Sequence, residues 1–195
     1  MCGGPKQIKL EQKVPTPLIQ KAPSFFLDTG AFLNNIRQLC TKPTEAFLVS
    51  FDVKDLYTSI PHSHGIESVN QLLLSSGMDT DQINLCVELL SLVLTTNFFM
   101  FQEKYYLNIC GTAMGSNAAP PYANCYLADY ERTVIYTSHL YQNNVFLWKR
   151  YIDGIFCRWG GTVESLNSFF ELLNPFWPGL SFTMSYGTKY IFWTH

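Results

Sequence analysis

Two apolar runs each carry one aspartate at the end, and about a hundred residues separate them: Leu48-Val49-Ser50-Phe51-Asp52-Val53, and Val145 to Tyr151 continuing into Ile152-Asp153-Gly154. Runs rich in β-branched and aromatic residues and bounded by turn formers read as strands. Acids on rigid strand ends are where a site for hard cations is built, because Mg²⁺ takes oxygen ligands in near-octahedral geometry. A fold that uses both acids must bring sequence-remote strands together, with the glycine-containing loop Gly111–Asn117 between them in the chain.

The remaining pattern does not follow a regular βαβ rhythm. Residues 1–23 hold Pro5, Pro15, Pro17 and Pro23 and read as an irregular lead-in. Phe32, Ile36 and Leu39 have helical spacing before Thr41-Lys42-Pro43. Ala46 to Val53 reads as a buried strand. A helix follows Pro61 through Ile66, Val69, Leu72 and Leu73 and ends by Gly77, and a second begins at an Asp79/Gln82 capping box. Asn97 to Ile109 predicts a hairpin around Gln102-Glu103-Lys104. Pro120 or Pro121 opens a helix reaching about Tyr136, strands flank Asp153-Gly154, a helix covers Thr162 to Leu173, and a last hairpin turns near Gly187. This order predicts an α+β domain over residues 24–195, with an antiparallel sheet backed by helices.

Composition narrows the function classes. With 195 residues and 47% hydrophobic content the chain can bury one sizeable core. A net charge of -2 confines any nucleic-acid affinity to local patches. Lys6, Lys9, Lys13 and Lys21 make one, and Lys149, Arg150 and Arg158 flank Asp153 as candidate phosphate contacts. The 6 cysteines show no CxxC pair and no histidine at ligand spacing, so neither a zinc site nor a disulfide framework is indicated. The most apolar stretch, Leu85 to Phe101, is interrupted by Glu88 and Asn97, so no membrane association and an intracellular protein are expected, nuclear or cytoplasmic.

Three segments then carry a family resemblance. Phe51-Asp52-Val53-Lys54-Asp55-Leu56-Tyr57 with Ser59-Ile60-Pro61-His62, Gly111-Thr112-Ala113-Met114-Gly115-Ser116 with Ala119-Pro120-Pro121-Tyr122-Ala123-Asn124, and Arg150-Tyr151-Ile152-Asp153-Gly154 resemble, in order, motifs A, B and C of a reverse transcriptase. The wording is most similar to Penelope-like retroelements; a telomerase-like polymerase is matched less well. The resemblance implies a polymerase palm with partial fingers and no thumb, truncated at the C-terminus, and RNA-directed DNA polymerisation from an RNA template, a DNA primer and deoxynucleoside triphosphates.

By position it implies that Asp52 and Asp153 hold two Mg²⁺ ions, or Mn²⁺ in their place, with the Val53 carbonyl as a further ligand. Asp55, Tyr57, Met114, Gly115 and Ser116 would bind the nucleotide, Tyr57 as the ring under the sugar that excludes a 2′-hydroxyl. Gly154 stands where the family has a second motif C aspartate, which implies activity lowered or lost. Two other readings remain: an inactive remnant that binds nucleic acid or a protein, and a generic α+β domain in which Asp52 and Asp153 lie apart.

Overall fold

A computed structural model describes residues 22–25, 30, 32–34, 45–113, 115–174 and 177–191. Strand β1 (Glu45–Val53) organises it, because its side chains alternate in burial: Val49, Phe51 and Val53 are buried, while Ser50 and Asp52 are exposed. That period of two is what a strand covered on one face produces. Fully burying Phe51 alone contributes roughly 1.5–3 kcal/mol, and its ring meets Trp148, Phe169 and Phe170 at 5.6, 6.1 and 6.4 Å.

Strands β2 (Phe98–Phe101) and β3 (Lys104–Leu107) form a separate two-stranded ribbon. The main sheet adds β4 (Val145–Tyr151), β5 (Gly154–Trp159) and β6 (Phe182–Ile191) to β1 in the order β4-β5-β1-β6, antiparallel throughout. Its core face is covered by α4 (Ala119–Tyr130) and α6 (Val163–Leu173), which contribute Tyr122, Tyr126, Tyr130, Leu166, Phe169 and Leu173. The spacing Leu166, Phe169, Leu173 puts one helical stripe on the sheet, and the Thr162 hydroxyl starts that helix by accepting from the Ser165 amide at 3.2 Å. A one-turn helix α1 (Leu56–Ser59) leads from β1 to α2 (His62–Leu74), which packs between α3 (Thr80–Thr95) and α4. A short α5 (His139–Asn144) precedes β4.

The α+β architecture with an antiparallel sheet agrees with the expectation, and several local details differ. Gly187 is no hairpin turn: β6 runs through it, and the pairing passes from Phe47↔Lys189 to Val49↔Tyr186, a one-residue slip of the bulge type. Helix α4 stops at Tyr130 and continues as a π-helical turn, Glu131–Ile135, in which the Tyr136 amide donates to the Glu131 carbonyl at 2.9 Å. Asp79 does cap α3, although its carboxylate accepts from the Asp81 amide at 3.1 Å. The expected helix through Ile36 and Leu39 falls mostly outside the described residues.

Candidate functional site

The register of the sheet decides where the two aspartates lie. Asp52 pairs with Gly154 on one side and Thr183 on the other, and Gly154 pairs with Tyr151. Directly opposed residues of an antiparallel sheet share a face. A single row, Tyr151, Gly154, Asp52, Thr183, therefore crosses all four strands on the face away from the helices. The next row is Lys149, Phe156, Ser50, Ser185, and a hollow of about 220 Å³ lies there against Leu48, Ser50, Phe156 and Tyr186.

Asp153 lies just beyond this row, next to Gly154 in the chain. The β4–β5 hairpin turns on Ile152-Asp153 between Tyr151 and Gly154, so the expected Asp153-Gly154 turn is displaced by one residue. Ile152 takes φ 55, a left-handed conformation costly for a β-branched side chain. The Val53 amide donates to the Asp153 carbonyl at 3.2 Å, which ties the turn to the end of β1. Asp153 is thus the chain neighbour of the residue that pairs with Asp52, and both aspartates lie at the same end of the sheet. Among the described residues neither carboxylate accepts a hydrogen bond or faces a cation at ion-pair distance.

The residues after β1 close the same corner. Asp55 is exposed at φ 48, and its carbonyl takes the Thr58 and Ser59 amides, both at 3.0 Å, to start α1. Tyr57 is half-buried, and burial raises its phenol pKa first, with the charge of nearby Asp153 adding to the rise. The Tyr57 carbonyl accepts from the Thr112 amide at 2.7 Å, and Ile60 accepts from Gly111 at 2.8 Å, so the glycine loop is stitched to this turn. Gly111 must be glycine there: at φ 71, an added Cβ would fall 2.4 Å from the Tyr57 carbonyl oxygen. Gly115 takes φ 89 in open space, and the Ser116 hydroxyl accepts from the Ala118 amide at 3.2 Å at the entry to α4. Met114 lies outside the described residues.

The basic residues near Asp153 do not form the expected phosphate patch. Arg150 is 1% exposed and Arg158 6% exposed. The Arg150 fork faces the core side, and the Arg158 guanidinium lies 5.5 Å from the centre of the Phe146 ring. Lys149 donates to the Pro23 carbonyl at 2.7 Å, and burial lowers its pKa. Counting positive charges along the sequence could not distinguish these directions, because Lys149 and Arg150 are neighbours in a strand and point to opposite faces. Glu131 and Asn124, the partners of Arg150, gave no sequence signal beyond their place in the segment expected to be helical up to about Tyr136.

As for metal, no described residue pairs with the carboxylate of Asp52 or Asp153, and Asp55 is close by in the chain. Among the described residues no group of three or more His, Cys, Asp or Glu side chains is arranged to hold an ion. Gly154 leaves room beside it: an added Cβ would meet only the Tyr151 carbonyl oxygen at 3.7 Å, an ordinary contact.

A scan against protein-family models matches none, and no curated protein matches by sequence. Comparison with solved structures does find likeness. The chain superposes on a structure of apo telomerase from Candida tropicalis, truncated from its C-terminal domain, with a TM-score of 0.66 at 12% identity over 88% of this chain. The fold is reverse-transcriptase-like. At that identity the likeness concerns the fold, and the chain spans 38% of the length of the telomerase polypeptide. Within a reverse-transcriptase-like fold, the row through Asp52 lies on the sheet face that the helices leave open. No helix among the described residues is long and apolar enough to cross a membrane.

Proposed function

We propose that this chain is the reverse-transcriptase domain of a Penelope-like retroelement, built for two-metal nucleotidyl transfer to a primer 3′ end on an RNA template, with its rate depressed by Gly154. The observation that supports the reading is the register that pairs Asp52 with Gly154, the chain neighbour of Asp153, at the open end of the sheet. Asp52, Asp153 and the Val53 carbonyl would hold the ions, which when bound neutralise the phosphate and align the attacking and leaving oxygens. The chain's own part is positioning. Strands β1 and β5 fix the two carboxylates, Tyr57 sets a ring beside them under the sugar, and Asp55 with the Met114-Gly115-Ser116 loop shapes the nucleotide pocket. The buried Arg150 and Arg158 have no part in phosphate contact.

Gly154 faces the same side as Asp52, so an aspartate there would project a carboxylate into the row beside that of Asp52. Because its Cβ is accommodated, the Gly154→Asp variant should fold and raise primer extension by about 10²-fold, the scale of one transition-state stabilising group. Asp52→Asn should abolish extension in both backgrounds. Equal rates for the chain and its Gly154→Asp variant would show that the glycine is not what limits activity. Absence of extension from both, with RNA or primer–template binding retained, would favour the other reading: a binding module that keeps the fold without the chemistry.

A further inference from the structure

Resting on the reading of Asp153 as a metal-binding carboxylate, we propose that Arg150 is a positioning residue: its guanidinium braces the Ile152-Asp153 turn against α4 and the π-helical turn, and so fixes the aim of Asp153. Its Nε and Nη2 donate to the two carboxylate oxygens of Glu131 at 3.0 and 3.3 Å. Its Nη1 bridges outward, donating to Asn124 Oδ1 at 2.6 Å and to the Ile152 carbonyl at 3.2 Å. One planar, rigid fork therefore joins the helix to the single residue that carries the strained backbone of the turn.

The anchor at the other end is itself held. Glu131, 1% exposed, also accepts from Ser24 Oγ at 2.6 Å and from Trp148 Nε1 at 2.9 Å. It opens the π-helical turn, a local rewinding of the kind often found at functional sites. Ser24 in turn accepts the Arg150 amide on its carbonyl at 2.9 Å. A buried ion pair is weak evidence for added stability, and its best-attested use is to select one arrangement among several. Here the arrangement selected is the left-handed Ile152, which persists only where its surroundings over-determine it. Two bonds do that: Arg150 Nη1 to the Ile152 carbonyl, and the Val53 amide to the Asp153 carbonyl. Loss of the first releases Ile152 to a relaxed φ, and Asp153 turns away from Asp52.

The Val53 amide is a direct reporter of the turn, independent of any metal. In Arg150→Lys, which keeps a cation beside Glu131 and removes the Nη1 bond to the Ile152 carbonyl, Val53 hydrogen exchange measured by NMR should quicken by about tenfold relative to the other β1 amides, as for loss of one hydrogen bond to a charged group. Mn²⁺ affinity, read from paramagnetic broadening around Asp52 and Asp153, should fall by a similar factor. Asn124→Ala removes the helix acceptor of Nη1 and leaves its bond to the Ile152 carbonyl, so it should quicken Val53 exchange less than Arg150→Lys does. Ser24→Ala, which weakens the Glu131 anchor away from the turn, should leave the Val53 amide in step with its strand. If Val53 exchange is unchanged in Arg150→Lys, or rises only as much as every other β1 amide, the brace is overturned and the network merely holds the fold. Mn²⁺ broadening that Asp52→Asn leaves intact would overturn the two-metal reading, and the exchange measurement would still decide the brace.

Discussion

The main sheet and the β2–β3 ribbon are both antiparallel and both rich in aromatics, yet they are stabilised in opposite ways. Every strand of the sheet puts one set of side chains into a common core, whereas all eight strand residues of the ribbon are exposed. The ribbon relies on its own cross-strand pairs, Phe99 stacked on Tyr106 at 5.5 Å and Phe98 edge-on to Tyr105 at 5.6 Å. Its turn takes positive φ at both Gln102 and Glu103, as a type I′ turn requires. The turn at Asp153 has positive φ at Ile152 alone and is tied to two other elements. Aromatic content alone therefore says little about rigidity; what matters is whether a strand has a second layer to pack against and whether its turn is held from outside.

The sharpest way to break this contrast is at Glu131. Glu131→Ala removes the acceptor of Arg150, Trp148 and Ser24 at once and leaves a buried guanidinium unpaired. Unfolding free energy from urea titration should drop by about 3–5 kcal/mol. A loss below about 1 kcal/mol would mean that water reaches Arg150 and that the sheet is no better anchored than the ribbon.

Much of this division was legible in the sequence, and the exceptions have physical reasons. The apolar run Ala46–Val53 read as a strand and Thr162–Leu173 as a helix, and both formed, while which face of each is buried emerged only from the packing. Asp52 and Asp153 were readable as candidates because each ends an apolar run. The pairing of Asp52 with Gly154 was not, since strand order depends on long-range pairing that no local pattern encodes. Gly187 reads equally as a turn or a bulge until a neighbouring strand is present. Arg150 was misread because a cation beside an acid in sequence looks like a phosphate ligand, and only the facing Glu131 and Asn124 reveal that it points inward.

A smaller effect should appear at high pH. Tyr141 lies near Glu131, and its pKa is raised from 10.0 to about 12, first by burial, then by the Glu131 charge and by Cys157. The folded chain keeps this phenol protonated where the unfolded chain ionises it, so the unfolded state loses its proton first. Stability is then unaffected below the ordinary tyrosine pKa and falls as pH rises from about 10 toward 12. Tyr141→Phe should flatten that part of the urea-midpoint profile while leaving neutral pH alone. An unchanged alkaline slope would place the pH sensitivity elsewhere in the core.

The least effect on folding is expected where the ribbon is most apolar. Phe99 is 54% exposed and its ring touches Tyr106 across the strands, so Phe99→Ser removes one cross-strand pair and little buried area. Its cost should stay within about 0.2–1 kcal/mol, against about 3–5 kcal/mol for Phe51→Ala in the sheet. What should change is solution behaviour, because Phe98, Phe99, Met100 and Phe101 expose a continuous apolar edge without a charge to guard it. Light scattering against concentration should fall for Phe99→Ser at unchanged urea midpoint. A midpoint that drops as far as that of Phe51→Ala would show the ribbon to be packed into the core in solution, and the contrast between the two β regions would disappear.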